Sequence, residues 1–215
     1  MICARTAFGG SAGLLFGFVA AMLIEGGPGL AQPTVPASPS PAALRPASAF
    51  ASISDARTRA VALFQEAGKV FRHPRCVNCH VDGDRPLQTD RMRPHQPPVV
   101  RGAEGHGAPG LRCNACHADS NFDPARVPGN GHWLLPPTTM VFQDRSLGQI
   151  CEQIKDPARN GNRAIAALLD HIVSDSLIIW AWSPGFARTP APGQHAEFVA
   201  LMQAWVDAGA DCPPS

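Results

Sequence analysis

Hydrophobic residues recur at helical spacing in four stretches of the chain, which are 54–72, 146–155, 163–180 and 195–208. The first begins with Ser54, a candidate N-terminal cap, and carries the apolar residues Val61, Phe64, Val70 and Phe71. The last stops before Gly209, a residue type that often closes a helix. No stretch alternates apolar and polar residues as a half-buried strand does. The pattern predicts a mainly α fold.

Two long segments, 81–110 and 118–143, show almost no apolar periodicity and are rich in proline and glycine. Loops of this length are uncommon in compact domains unless they bind something. With 20 glycines and 22 prolines among 215 residues, the chain has limited regular structure with which to bury a core. We therefore expect a loop-rich fold with few helices packed around a bound apolar group, and a polypeptide that is largely unfolded without it.

The N-terminal segment has the composition of an export signal. Arg5 precedes an uncharged, largely apolar run over 12–24, and the small residues Gly29 and Ala31 follow it. This predicts a signal peptide over 1–31 and a periplasmic location. The alternative is an uncleaved N-terminal anchor, but the apolar run is shorter than the about 20 residues that a membrane span needs. The segment 32–50 is rich in Pro, Ala and Ser, which predicts an extended linker before a domain over 51–215. After cleavage we expect no membrane span. The formal net charge of +1 gives no indication of a nucleic-acid partner.

Four of the seven cysteines lie in two C-x-x-C-H motifs, Cys76-Val77-Asn78-Cys79-His80 and Cys113-Asn114-Ala115-Cys116-His117. In an exported protein this motif is typical of covalent c-type haem attachment. The two thiols add to the vinyl groups of one porphyrin, and the histidine binds the iron as the proximal ligand. A four-cysteine zinc site and a redox dithiol are alternatives, but the 33 residues between the pairs and the histidine after each pair favour haem. The sequence therefore predicts two haem c groups.

Three cysteines lie outside these motifs. Cys3 belongs to the predicted signal peptide, so Cys151 and Cys212 remain in the mature chain. In an oxidising compartment two such thiols most often pair. A disulfide would close a loop of about 60 residues and add on the order of 4 kcal/mol of stability in the loop-entropy description. The alternative is two unpaired buried cysteines.

The sixth ligand of each iron determines the function, because a histidine or methionine there gives a saturated electron carrier. For the first haem we favour His95, which lies in the loop between the motifs, with Met92 and His106 as alternatives. For the second haem, His132 and Met140 both follow the motif, and the sequence does not choose between them.

Several further residues have simpler interpretations. Four arginines of the inter-motif loop could bind haem propionates, but solvation explains each of them taken singly: Arg85, Arg91, Arg93 and Arg101. His171 lies one turn before Asp175 and is interpreted as solvated or ion-paired. We interpret Met202 as a packed core residue, His73 as a structural residue and His195 as a surface residue.

The segments 83–129 and 146–163 resemble small exported dihaem proteins that are subunits of isoquinoline 1-oxidoreductase-type molybdenum hydroxylases. The resemblance covers roughly 71–213. It implies an exported molybdopterin dehydrogenase as electron donor and a downstream redox protein as acceptor. A looser similarity to the small dihaem subunit of periplasmic nitrate reductase, in which both irons carry two histidines, supports His95.

These observations favour an electron-transfer protein over an enzyme. No catalytic acid–base constellation accompanies the motifs, which start only 37 residues apart. A dihaem peroxidase-like enzyme, or a haem-based sensor with one open iron, is the alternative, and both differ from the first hypothesis in leaving a sixth position empty.

Overall fold

A computed structural model describes residues 42–215 of the chain. The predicted signal peptide and most of the predicted linker lie outside these residues. Of the described residues, 39% are helical and 6% are in strands, so the fold is mainly α. The helices are α1 (Ala56–Phe71), α2 (Pro74–Val77), α3 (Leu147–Lys155), α4 (Ile165–Ser174), α5 (Ser176–Trp180) and α6 (His195–Asp207). Short 3-10 helices cover Ala47–Phe50, Cys113–Ala115 and Asp123–Ala125.

The core lies where α1, α3 and α6 meet. Phe64 of α1 packs against Trp205 of α6, with ring centres 5.1 Å apart, and both side chains are fully buried. Phe71 meets Phe198 edge to face at 5.4 Å, an arrangement that aromatic rings favour. Gly68 permits α3 to approach, because a β-carbon there would lie 2.6 Å from the Leu147 side chain. The apolar residues that recur at helical spacing in these stretches thus form this core.

Two of the predicted helices differ from the observed ones at capping positions. Asp55, not Ser54, caps α1: its carboxylate accepts a hydrogen bond from the Thr58 amide at 2.8 Å. The predicted helix over 163–180 is two helices, α4 and α5, which meet at Asp175. Asp175 has an extended backbone, and its carboxylate accepts the amide of Leu177 at 2.8 Å, so it starts a new helix.

The predicted linker is too long at its C-terminal end. Leu44 and Phe50 are buried in the core, and a 3-10 helix over Ala47–Phe50 joins them. The Arg45 amide donates to Glu66 Oε1 of α1 at 2.9 Å. The two apolar side chains and this hydrogen bond hold the segment against α1 and α6, so the folded part includes residues before 51.

The inter-motif loop contains two short hairpins that the sequence pattern does not predict. β1 (Leu87–Gln88) pairs with β2 (Arg93–Pro94), and β3 (Gly107–Ala108) pairs with β4 (Leu111–Arg112), both antiparallel. Strands of two residues are too short to show an alternating pattern. The loop is therefore ordered by backbone pairing.

A disulfide joins Cys151 of α3 to Cys212 beyond α6, with a Cα–Cα distance of 5.6 Å. The pair expected from the sequence is thus bonded in the structure, and it ties the C-terminal segment to the core. Within residues 42–215, no helix is both long and apolar enough to cross a membrane.

Candidate functional site

The first C-x-x-C-H motif begins in α2 and leaves it in a tight turn. His73 caps α2, because its Nδ1 accepts the Arg75 amide at 3.2 Å. The amides of Cys79 and His80 both bond to the Cys76 carbonyl, which holds the two thiols and the histidine on one turn. Burial raises the pKa of Cys76 to about 12 and that of Cys79 to about 11, so both remain thiols at neutral pH. Neither is in a disulfide.

His80 is held in one orientation by contacts from the segment before α3. Its Nδ1 lies 3.0 Å from the carbonyl oxygen of Met140, and its ring stacks on Phe142 with centres 3.8 Å apart and planes 5° apart. A carbonyl only accepts hydrogen bonds, so Nδ1 carries the proton and Nε2 keeps its lone pair. Burial lowers the pKa of His80 to about 4, which keeps the ring neutral. A neutral imidazole is the form that binds a metal.

The second motif reproduces this arrangement with different residues. His117 Nδ1 lies 2.7 Å from the carbonyl oxygen of Pro128, and the ring stacks on Trp133 at 4.2 Å with planes 4° apart. Trp133 in turn meets Trp180 of α5 edge to face at 5.2 Å. Burial lowers the pKa of His117. Both motif histidines therefore present a neutral Nε2, with Nδ1 fixed by a backbone carbonyl.

The inter-motif loop folds back on both motifs. The amide of Leu87 in β1 donates to the Asn78 carbonyl at 2.9 Å, which docks the first hairpin on the first motif. The Cys113 amide donates to the His106 carbonyl at 2.9 Å, which docks the second hairpin on the second motif.

A cleft of about 490 Å³ opens beside the second motif. His117 and Trp133 line it, together with His106, Arg112 and His132. Its volume is within the range of about 300–1,000 Å³ that is usual for small-molecule and cofactor sites. The cleft therefore offers space for a bound group next to the predicted proximal histidine.

The candidate sixth ligands have different surroundings. The ring centre of His95 lies 5.9 Å from that of His117, the histidine of the second motif. Met140 is buried in the core, and its carbonyl oxygen lies 3.0 Å from His80 Nδ1. His132 is exposed at the cleft, and Met92 is 41% exposed. The structure thus places His95 beside the second motif, whereas the sequence favoured it for the first.

His171 lies beside Asp175, as its spacing predicts, with its Nδ1 3.4 Å from Asp175 Oδ2. Burial lowers the pKa of His171, and the negative charge of Asp175 partly offsets that effect, so the ring is mainly neutral at pH 7.

Two arginines near the motifs are buried with unused donor atoms. Arg101 is 4% exposed and donates to the carbonyls of Gly83 and Pro136, but its Nε has no partner. The Arg75 side chain is also 4% exposed; it pairs with Asp90, and its Nε is likewise unpartnered. Ordinary solvation is therefore wrong for Arg101, and Arg75 was not predicted. Buried guanidinium donors without partners fit a site that receives a carboxylate-bearing group, and haem carries two propionates.

The four motif thiols do not form a common metal cage. Among residues 42–215, no group of three or more His, Cys, Asp or Glu side chains is close enough to hold one metal ion. A zinc site of paired C-x-x-C units needs four such ligands around one ion. The arrangement instead presents two separate thiol pairs, each with its own histidine.

Comparisons with protein-family models, curated proteins and solved structures give no match to the chain. The resemblance to subunits of molybdenum hydroxylases therefore stays a prediction. The site itself carries the functional argument.

Proposed function

We propose that the protein is an exported dihaem c-type cytochrome that transfers electrons. One haem c would be attached through Cys76 and Cys79, and the other through Cys113 and Cys116. The observation that carries the proposal is the shared state of the two motif histidines, His80 and His117. In each, a backbone carbonyl fixes Nδ1, an aromatic ring fixes the plane, and Nε2 is left to bind iron.

The residues around the motifs fit the needs of such a group. The carbonyls of Met140 and Pro128 fix the tautomer of the ligating histidines and raise their basicity. Arg75 and Arg101 would bind the propionates with donors that have no protein partner. Haem iron supplies one-electron redox chemistry when bound, and its potential depends on axial ligands, burial and nearby hydrogen bonds.

The proximity of the two motifs supports electron transfer as the function. The first hairpin connects the two motifs: the Leu87 amide donates to the Asn78 carbonyl of the first motif at 2.9 Å, and the ring centre of His95, which follows β2, lies 5.9 Å from that of His117 in the second. The disulfide between Cys151 and Cys212 supports a location outside the cytoplasm, because such bonds persist in oxidising compartments. A peroxidase-like enzyme or a sensor would need one open iron, and the ligand assignment distinguishes these alternatives.

The partner is proposed from the sequence resemblance alone. An exported molybdopterin dehydrogenase would deliver electrons, and a downstream redox protein would receive them. Co-purification of a tagged chain under mild conditions tests this part: repeated failure to retain such an enzyme would remove the partner but leave the cytochrome proposal in place.

A count of covalent haem tests the function itself. The chain is expressed with the c-type maturation machinery, and its mass is measured under denaturing conditions. We expect two haems per wild-type chain and one haem when Cys113 and Cys116 are both replaced by alanine. A matched control replaces Cys151 and Cys212 by alanine and should retain both haems. A wild-type chain that carries no covalent haem would contradict the proposal.

A further inference from the structure

The distance between His95 and His117 matches that of two histidines on opposite sides of one iron. Their ring centres are 5.9 Å apart. Metal–imidazole bonds are about 2 Å long, and each ring centre lies roughly 1 Å behind its ligating nitrogen, so two such bonds in line separate the ring centres by about 6 Å. The 62° angle between the two ring planes is compatible with this arrangement, because each ring turns independently about its own bond to the metal.

In both rings, Nδ1 lies within hydrogen-bond distance of a backbone carbonyl, which leaves Nε2 available to a metal. His95 Nδ1 lies 2.9 Å from the carbonyl oxygen of Pro97, just as His117 Nδ1 lies 2.7 Å from that of Pro128. Because carbonyls only accept, each Nδ1 carries the proton, and each Nε2 keeps its lone pair. A fixed Nδ1–H is the usual mark of a histidine that is oriented toward a metal.

The first hairpin holds His95 in place. The residue directly follows β2, and its amide donates to the Pro86 carbonyl at 3.0 Å. Arg85 donates to the His95 carbonyl at 2.7 Å. His95 is therefore a positioned side chain at the end of an ordered hairpin, even though it belongs to the loop between the motifs.

The competing residues lack these features. His106 and His132 line the cleft beside His117, but in the described part of the chain neither ring makes a hydrogen bond that would select a tautomer. The recorded contact of His132 is through its backbone amide, which bonds to Asn130. Met92 is 41% exposed. Among these histidines, only His95 combines the distance with a fixed tautomer.

We propose that His95 is the distal ligand of the haem held by Cys113 and Cys116, on the side opposite His117. The inference rests on the proposed haem attachment. It makes the second haem a saturated bis-histidine centre, so that iron would be closed to peroxide and gases. The loop that follows the first motif would then supply the distal ligand of the haem at the second motif.

The first test compares His95→Ala with Gln96→Ala, a matched control at the exposed position next to it in the same loop, in the haem-loaded full chain. Low-temperature electron paramagnetic resonance distinguishes low-spin from high-spin ferric haem. We expect His95→Ala to convert one of the two haems to high spin, and added imidazole to restore it. The control should have the wild-type spectrum. No change in His95→Ala, or a change in the control alone, would overturn the proposal.

The second test identifies the haem that His95 serves. A chain in which Cys113 and Cys116 are alanine retains only the first attachment site. We expect His95→Ala to leave the spin state of that remaining haem unchanged. Conversion to high spin would show that His95 binds the first iron and would refute our assignment. A wild-type chain without covalent haem is a different result, because it contradicts the proposed function rather than the ligand assignment.

A third variant guards against a folding defect in the one-haem chain. In the full chain, His95→Met supplies a sulfur ligand at the same position. We expect two haems, a new sulfur-to-iron charge-transfer band and a raised potential for one of them, because methionine ligation raises haem potentials. A folded two-haem protein without that band would contradict the assignment.

Discussion

At the scale of single residues, the two motif histidines show what the sequence can and cannot predict. The C-x-x-C-H pattern identifies His80 and His117 because the motif is local. Their supporting contacts are less local: the Met140 carbonyl is 60 residues from His80 along the chain. Every residue has a backbone carbonyl, so the residue type at a position does not reveal such a contact. The sequence therefore identifies the candidate ligands but not the groups that orient them.

The sequence pattern predicts a solvated side chain for Arg101 because the residue lies in the inter-motif loop. The structure shows why this failed. The amide of Arg101 donates to the Asp84 carbonyl at 2.8 Å, and its side chain reaches the Gly83 carbonyl at 3.0 Å, so one residue joins both ends of a loop. Burial lowers the pKa of Arg101, and Asp84 partly offsets that effect.

Replacement of Arg101 by lysine should destabilise the loop, because lysine keeps the charge but lacks the planar fork that reaches two carbonyls. We expect a loss of about 1–3 kcal/mol in the free energy of unfolding, the usual cost of unmade buried hydrogen bonds. Denaturant unfolding of the haem-loaded protein measures it. Arg93→Lys, at an exposed position in the same loop, is the control and should be within about 0.5 kcal/mol of wild type. Equal stability of both variants would contradict this role for Arg101.

At the scale of elements, apolar periodicity predicted the positions of α1, α3 and α6, whose buried faces make the core. It did not predict the break at Asp175, because the apolar pattern continues through that residue from α4 into α5. Nor did it reveal the two hairpins, whose strands have two residues each. The break follows from a local hydrogen bond to the Asp175 side chain, and the hairpins follow from backbone pairing.

Asp175 has two roles that can be separated by mutation. It caps α5 through the amide of Leu177 and pairs with His171 at 3.4 Å. Asp175→Ala should cost about 1 kcal/mol of stability, a usual value for a lost N-terminal cap. Asp175→Asn keeps an acceptor for the cap and removes the charge, so it should retain most of that stability. Thermal unfolding of the two variants provides the comparison, and equal losses would argue against the cap as the cause.

At the scale of the whole molecule, the hydrophobic core and the segment 82–134, which contains the second C-x-x-C-H motif, are different parts of the chain. Residues 82–134 contribute no buried side chain to the core, and only Leu87 packs at its edge. Several of their apolar side chains are exposed instead, including Val100 at 47% and Phe122 at 58%. The first motif, in contrast, packs on the core through Val77. Haem would supply the apolar surface that this segment lacks.

This division predicts a local response when haem cannot attach, whereas the sequence pattern alone predicts a largely unfolded polypeptide. In a chain with Cys76, Cys79, Cys113 and Cys116 replaced by alanine, we expect amides in 82–134 to lose hydrogen-exchange protection. Amides of α1, α3 and α6 should stay protected, because Val77 is the one motif residue buried in their core and the disulfide lies outside both motifs. Hydrogen exchange followed by mass spectrometry, with the haem-loaded protein as reference, measures both regions. Unchanged protection over 82–134 would contradict a structural role for haem there.

The most direct test of the account is the spectrum of the intact protein. Low-temperature electron paramagnetic resonance of the oxidised, haem-loaded chain, with covalent haem counted in the same sample, reports both attachment and ligation. The account predicts two covalent haems per chain, both low-spin and both unchanged by carbon monoxide after reduction, as expected of an electron carrier. A high-spin signal that shifts with added ligand would mean an open iron, and an enzyme or a sensor would then replace electron transfer as the function.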